Sequence, residues 1–182
     1  MKAAVIGGTG LLGRAIAAAW RGDELVLAGS CDVDIRDPRQ VESFLAHHRP
    51  DWVVLAAAIS EVDTCEQNPE LAEEVNHLGA VHVAETCRKQ RMRLTLLSTD
   101  YVFDGSKRSL YEVDDPVGPL NVYARTKVAA ENDVRCILPH SCVARVSWLF
   151  GAEKMLRQHR ARQGGERRTS AGSGRSGEHP QL

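Results

Sequence analysis

Short, unbroken apolar runs separated by amphipathic stretches organise most of this chain. Ala3-Ala4-Val5-Ile6, Leu25-Val26-Leu27-Ala28, Trp52-Val53-Val54-Leu55-Ala56, Leu94-Thr95-Leu96-Leu97 and the segment Cys142–Val146 are each four or five residues long and nearly all apolar. They lack the strict alternation of a half-solvated sheet and predict strands of a parallel sheet covered on both faces. Helical character fills the gaps, over residues 11–20, Pro38–His48, 69–90 and 120–137. Strand and helix in regular alternation predict an α/β fold, a doubly wound, Rossmann-type parallel sheet.

The pattern changes after Phe150. Residues 151–182 carry seven Lys or Arg against three Asp or Glu, a net of +4, whereas the first 150 residues carry −5. Met155 and Leu156 are their only large aliphatics before the final Leu182, and Gly, Ser, Arg and Gln dominate. A segment of that composition buries too little apolar surface to offset its ordering entropy. The expected organisation is a folded domain over 1–150 and a basic tail over 151–182. That tail is expected to be disordered, and it reads either as a non-native end left by a frameshift or truncated gene, or as a site for an acidic partner.

The remaining bulk properties exclude more than they identify. A net charge of −1 over 182 residues gives no reason to expect nucleic acid or an anionic membrane as partner. No apolar run approaches the ~20 residues that span a bilayer, and no signal-peptide pattern precedes the first strand. Cys31, Cys65, Cys87, Cys136 and Cys142 form no CxxC pair and no metal-ligand spacing with histidine, so no metal is expected. They read as reduced thiols of a cytoplasmic protein.

Candidate chemistry begins at Gly7-Gly8-Thr9-Gly10-Leu11-Leu12-Gly13, between the first strand and the first helix. Both Gly8-x-Gly10-x-x-Gly13 and Gly7-x-x-Gly10-x-x-Gly13 fit glycine fingerprints for a dinucleotide. Glycines close the turn, admit a pyrophosphate to the backbone and let the helix pack close, while the helix start offers N–H groups to phosphate. The second strand ends Ala28-Gly29-Ser30-Cys31 without an acid, and Asp32 and Asp34 come slightly later. A 2′-phosphate is then tolerated, with Arg14 in reach to assist, which leans toward NADPH; equally, Asp32 can serve NADH. Asp34 and Ile35 suit an adenine amino group and ring, or Asp34 is simply a solvated loop acid. Ala56, Ala57 and Ala58 leave room for a cofactor ribose, and Asn76 can hydrogen-bond backbone beside the site.

Tyr123-Ala124-Arg125-Thr126-Lys127 places a phenol and an ammonium on one face of a helix. A neighbouring cation favours phenolate and so lowers a tyrosine toward working pH, which makes it a usable general acid for an oxygen receiving hydride. The Thr99 hydroxyl, ending the fourth strand, can hold the same oxygen.

Together, the Gly7 to Gly13 loop, Leu97-Ser98-Thr99-Asp100-Tyr101-Val102-Phe103-Asp104-Gly105 and Pro119-Leu120-Asn121-Val122-Tyr123-Ala124-Arg125-Thr126-Lys127 resemble the dTDP-4-dehydrorhamnose reductases. These are a branch of the extended short-chain dehydrogenase/reductase family. Val62-Asp63 with Glu66, Glu74-Val75-Asn76 and Arg145-Val146-Ser147-Trp148 extend the resemblance, which covers roughly residues 1–151. It implies reduction of a nucleotide-activated 4-keto sugar, dTDP-4-dehydro-L-rhamnose to dTDP-L-rhamnose, with NADPH or NADH. By the same resemblance Tyr123 is the proton donor, Lys127 holds the nicotinamide ribose and tunes Tyr123, and Thr99 polarises the 4-carbonyl. Asp100 and Arg145 face the sugar, while Gly7, Gly10, Leu11, Leu12, Gly13, Asp34, Ile35, Ala56, Ala57 and Ala58 contact the cofactor.

Two departures qualify it. Ile59-Ser60-Glu61 replaces the small polar residues expected after the alanines, and nothing after Gly151 resembles the family's substrate subdomain. A truncated chain of weak or no activity is therefore expected. Two alternatives remain, a non-catalytic regulator similar to the beta subunit of methionine adenosyltransferase, and another sugar-nucleotide reductase or epimerase. Short-chain dehydrogenases often dimerise, which leaves a homodimer open.

Overall fold

A computed structural model of the chain describes residues 1–21 and 24–149. The expectations for the tail over 151–182 lie outside the described residues. Strand β1 (Ala3–Ile6) is buried along its whole length and pairs in parallel with β2 (Leu25–Ala28) on one side and β3 (Trp52–Leu55) on the other. Beyond β3 follow β4 (Arg93–Thr99) and β5 (Cys142–Val146), also parallel, giving the order β2-β1-β3-β4-β5. The strand order reverses beside β1, and the crevice between the ends of β1 and β3 is where doubly wound sheets bind ligands.

Helix α1 (Leu11–Ala19) follows β1, and α2 (Pro38–His48) is started by the Asp37 side chain, which accepts from the Arg39 N–H at 2.9 Å ahead of Pro38. Left-handed Arg49, at φ 47°, ends α2. After β3 come α3 (Val62–Gln67), α4 (Pro69–Ala72), a π-helical turn at Glu73–Leu78 and α5 (Gly79–Gln90). Helix α6 (Val122–Ile137) begins where Asn121 accepts from the Ala124 N–H at 2.7 Å. α2, α5 and α6 pack side by side. Their inward residues Val41, Leu45, Val83, Ala84, Ala130 and Val134 meet Ile6, Val53, Leu55, Leu94 and Leu96 of the sheet in one core cluster.

The predicted helix over 69–90 is helical throughout but not uniform. Its π-helical turn carries Asn76, buried and bound to the Ile59 backbone, and inserted turns of this kind recur at functional sites. α3 was not foreseen, because Cys65 is its one buried residue and so short a helix shows no apolar period. Coverage of both sheet faces also holds less widely than predicted. Leu27 is 43% exposed, and every described residue of β5 is exposed or only half-buried.

Candidate functional site

The loop after β1 is built by contact rather than by side-chain chemistry. Gly7 has φ +93°, and a Cβ there would lie 2.5 Å from the Ala57 nitrogen. The N–H groups of Ala56 and Ala57 both donate to the Ile6 carbonyl, at 2.8 and 2.9 Å, so the loops after β1 and β3 interlock. Gly13 lets α1 close on this turn, since a Cβ there would stand 2.5 Å from the Gly8 Cα. These contacts enclose a first cleft of about 590 Å³.

Of the residues predicted for a cofactor, Gly7, Gly10, Asp34, Ile35, Ala56, Ala57 and Ala58 line this cleft. Leu11, Leu12 and Gly13 do not; Gly13 acts from behind by admitting the helix. Thr9, Ser30, Arg36 and Val75 also line it, without having been singled out from sequence. Asp34, expected at an adenine, is held by its neighbour. Both its oxygens take the Arg36 side chain, at 2.6–3.1 Å, and this hydrogen-bonded pairing holds the carboxyl below its ordinary value. The adjacency of opposite charges in Asp34-Ile35-Arg36 was the available signal. Asp32 turns back to accept from the Gly29 N–H at 2.7 Å, and Arg14 donates to the Thr9 carbonyl at 2.6 Å.

Thr99 and Tyr123 meet at the same edge of the sheet, where α6 packs against the end of β4. Thr99 is 6% exposed, donates to Asp100 Oδ1 at 3.2 Å and accepts from the Tyr101 N–H at 3.2 Å. Tyr123 is half-buried, its ring edge-on to Tyr101 with centroids 6.3 Å apart. Burial pushes its phenol above the ordinary value, Asp100, Cys65 and Glu61 push the same way, and a hydrogen bond with Thr99 opposes them. The direction is opposite to the lowering expected from a neighbouring cation, and no hydrogen bond or ion pair joins Lys127 to the phenol among the described residues. The low-dielectric setting penalises phenolate and ammonium alike.

Lys127 is 3% exposed, and burial brings its ammonium down to about 8, opposed by the negative charge of Glu131. Glu131 is 2% exposed. It accepts from the Ser98 hydroxyl at 2.5 Å and from Arg145 Nε and Nη2 at 3.0 and 2.6 Å. Although its burial disfavours charge, the bonds from Arg145 and Ser98 hold this carboxyl below its ordinary value. Neither Ser98 nor Glu131 stood out in the sequence, though Glu131 follows Lys127 by one helical turn. Asn76 acts as predicted on backbone, joining Ile59 N and O at 2.8 and 3.0 Å, and it donates to Thr126 Oγ1 at 3.2 Å. Glu66 accepts from the Val122 N–H at 2.7 Å, so the start of α6 is tied to the segment after β3.

Asp100 and Arg145 both line a second cleft of about 820 Å³, with Tyr101, Phe103, Tyr111 and Asn121. Arg145 stands there with its guanidinium 5.1 Å from the Phe103 ring centroid, already paired to Glu131. Thr99, Tyr123 and Lys127 line neither cleft, but Asp100 and Tyr101, which follow Thr99, and Asn121, which caps the helix of Tyr123 and Lys127, line the second.

Comparison with known proteins shows the family. The family model described as RmlD substrate binding domain matches residues 1–164, and the chain belongs to that family. A dTDP-4-dehydrorhamnose reductase of Streptomyces griseus is 42% identical over 151 residues, covering 81% of this chain and 50% of its own length. Among solved structures, a dTDP-4-dehydrorhamnose reductase of Clostridium acetobutylicum superposes with a TM-score of 0.83 at 30% identity, covering 88% of this chain and 60% of its own. A Bacillus anthracis dTDP-4-dehydrorhamnose reductase, solved in complex with NADP, gives a TM-score of 0.82 at 27% identity over 88% of this chain and 60% of its own. The chain spans about half the length of the curated relatives it matches.

Proposed function

We propose that this chain carries the cofactor-binding and proton-donating part of an NAD(P)H-dependent reductase. Its substrate is a nucleotide-activated 4-keto sugar, dTDP-4-dehydro-L-rhamnose, and its product dTDP-L-rhamnose. The observation that carries the reading is the juxtaposition, at one edge of the sheet, of a glycine-built cleft with Thr99, Tyr123 and Lys127. A dinucleotide fits that cleft on structural grounds: Cβ atoms at Gly7 and Gly13 would collide with backbone, and α1 opens on it without a side-chain cap. Bound there, a nicotinamide supplies hydride to the sugar carbonyl.

The chain's own groups do the rest. Tyr123, kept protonated at neutral pH by its raised value, gives its phenolic proton to the carbonyl oxygen as that oxygen becomes an alkoxide. Thr99 turns its single hydroxyl proton from Asp100 to the same oxygen. Lys127, with a value of about 8 and so mostly charged near pH 7, holds ribose hydroxyls. Gly7, Gly10, Leu11, Leu12 and Gly13 serve the pyrophosphate, Ala56, Ala57 and Ala58 the ribose, and Ile35 the adenine. Asp100 and Arg145 face the sugar. Arg36 and Ser30 at the rim of the cleft support NADPH over NADH. No described helix is long and apolar enough to cross a membrane. A cytoplasmic location belongs to the same proposal through the biosynthetic reductases the chain resembles.

Calorimetric titration of this chain with NADPH and with NADH tests the cofactor half, with NADPH expected to bind tighter. Deuteride transfer from labelled NADPH to dTDP-4-dehydrorhamnose tests the chemistry, and Tyr123→Phe is expected to slow it ~100-fold or more. Equal rates in native and variant protein would remove Tyr123 from its role.

A further inference from the structure

We propose that Glu131 is a positioning residue of this site: its buried carboxylate, locked by Ser98 and Arg145, is the counter-charge of Lys127 and couples that lysine to the wall of the second cleft. The inference rests on the reading of Tyr123 and Lys127 given above.

Glu131 lies one turn after Lys127 on α6, and the two side chains are among the few charged ones buried in the described residues. The carboxylate does not pair with Lys127 itself; it points to the sheet. Ser98 and Arg145 are register partners on β4 and β5, so Glu131 bonds both strands at one level. Ser98 is the residue before Thr99. Arg145 in turn packs on Phe103 and donates to the Val113 carbonyl at 3.2 Å, reaching the loop that walls the second cleft. One carboxylate thus touches the strand bearing Thr99, the strand bearing Arg145 and the helix bearing Tyr123 and Lys127.

The other charged or titratable groups around this centre are Tyr123 and Arg135 on α6, Asp100 after β4, Arg145 on β5, and Glu61 and Cys65 at α3. Among them Glu131 is the group whose charge supports the ammonium of Lys127 against burial. Replacing it by a neutral isostere leaves buried Lys127 and half-buried Arg145 with no anion between them. Removing Arg145 instead leaves the carboxylate to Lys127 alone. The two changes act on the lysine with opposite sign, which a merely structural role for Glu131 does not predict.

The test is an NMR titration of the Lys127 side chain in the full chain without cofactor, its resonance assigned by loss in Lys127→Met. Glu131→Gln is expected to move the midpoint down by about one pH unit, the order of effect of one charge a helical turn away. Arg145→Met is expected to move it up, and Glu131→Asp to keep it near the native value. The alkaline limit of NADPH binding should follow the midpoint in each variant. Unchanged midpoints in Glu131→Gln and Arg145→Met overturn the proposal; should Glu131→Gln fail to fold, the sign of the shift in Arg145→Met decides. Opposite midpoint shifts without NADPH binding at any pH would sustain the coupling and sink the reductase reading.

Discussion

The two clefts at the C-terminal edge of the sheet are made of different materials. The first is walled by glycines, alanines and aliphatic side chains such as Ile35, Leu71 and Val75, and its one charged pair is Asp34 with Arg36. The second is walled by aromatics and held by charge buried behind it, with Arg145 on Glu131 and Phe103 stacked on Tyr111 at 4.3 Å. A cleft shaped by backbone contact is intolerant of added volume and indifferent to ionisation. One held by buried charge has the opposite sensitivities.

The largest effect should come from adding one carbon to the first cleft. Gly7→Ala places a Cβ against the Ala57 backbone at a φ of +93°, which together should cost about 4 kcal/mol and weaken NADPH binding at least tenfold. Urea unfolding and calorimetry measure both, and a native-like unfolding midpoint would show that the interlocked loops can part. In the second cleft the corresponding blow is to charge. Arg145→Met takes from the buried Glu131 carboxylate its ion-pair partner and should cost about 3 kcal/mol in urea unfolding. A loss below ~0.5 kcal/mol would mean that the carboxylate reaches solvent or a proton easily, and the contrast between the clefts would fail.

Outside both clefts, the contact between the π-helical turn and α6 should feel pH. His77 bridges Glu73 at 2.5 Å and Asp133 on α6 at 2.7 Å; burial disfavours its charge, but these two partners outweigh that and raise it above its ordinary value. Its contribution is therefore complete below the unfolded value near 6.5 and lost as pH rises through the higher folded one. His77→Gln should remove a pH-dependent increment of roughly 1 kcal/mol, read as unfolding midpoints at pH 6 and 9. The smallest change is reserved for the first cleft's rim. Asp34→Asn breaks a pair whose members are about a third and nearly half exposed, and should alter stability by less than ~0.5 kcal/mol. A larger loss would make charge structural there as well.

Much of the fold was legible because a parallel sheet imposes continuous apolar runs, and β1, β2 and β5 match the predicted segments residue for residue. α2 was equally plain, since Asp37, Pro38 and the pair His47 and His48 mark its ends. The glycine loop was readable because only glycine fits the contacts that close it. The π-helical turn was not, for it depends on Asn76 reaching the Ile59 backbone from 17 residues away. Nor was the partner of Lys127. A Lys127–Tyr123 spacing promises proximity on a helix face, but the electrostatic outcome belongs to burial, which no local spacing contains.

By itself, then, the sequence determined the strand–helix alternation, the glycine loop and the residue types gathered at one sheet edge, all consequences of local sterics and hydrophobic period. Tertiary structure alone decided their ionisation and restraint. It raised Tyr123 instead of lowering it, brought Lys127 to about 8, spent Asp34 on Arg36 and assembled Ser98, Glu131 and Arg145 from three separate elements. Charge interacts through space in a dielectric set by packing, so those properties exist only once the chain has folded.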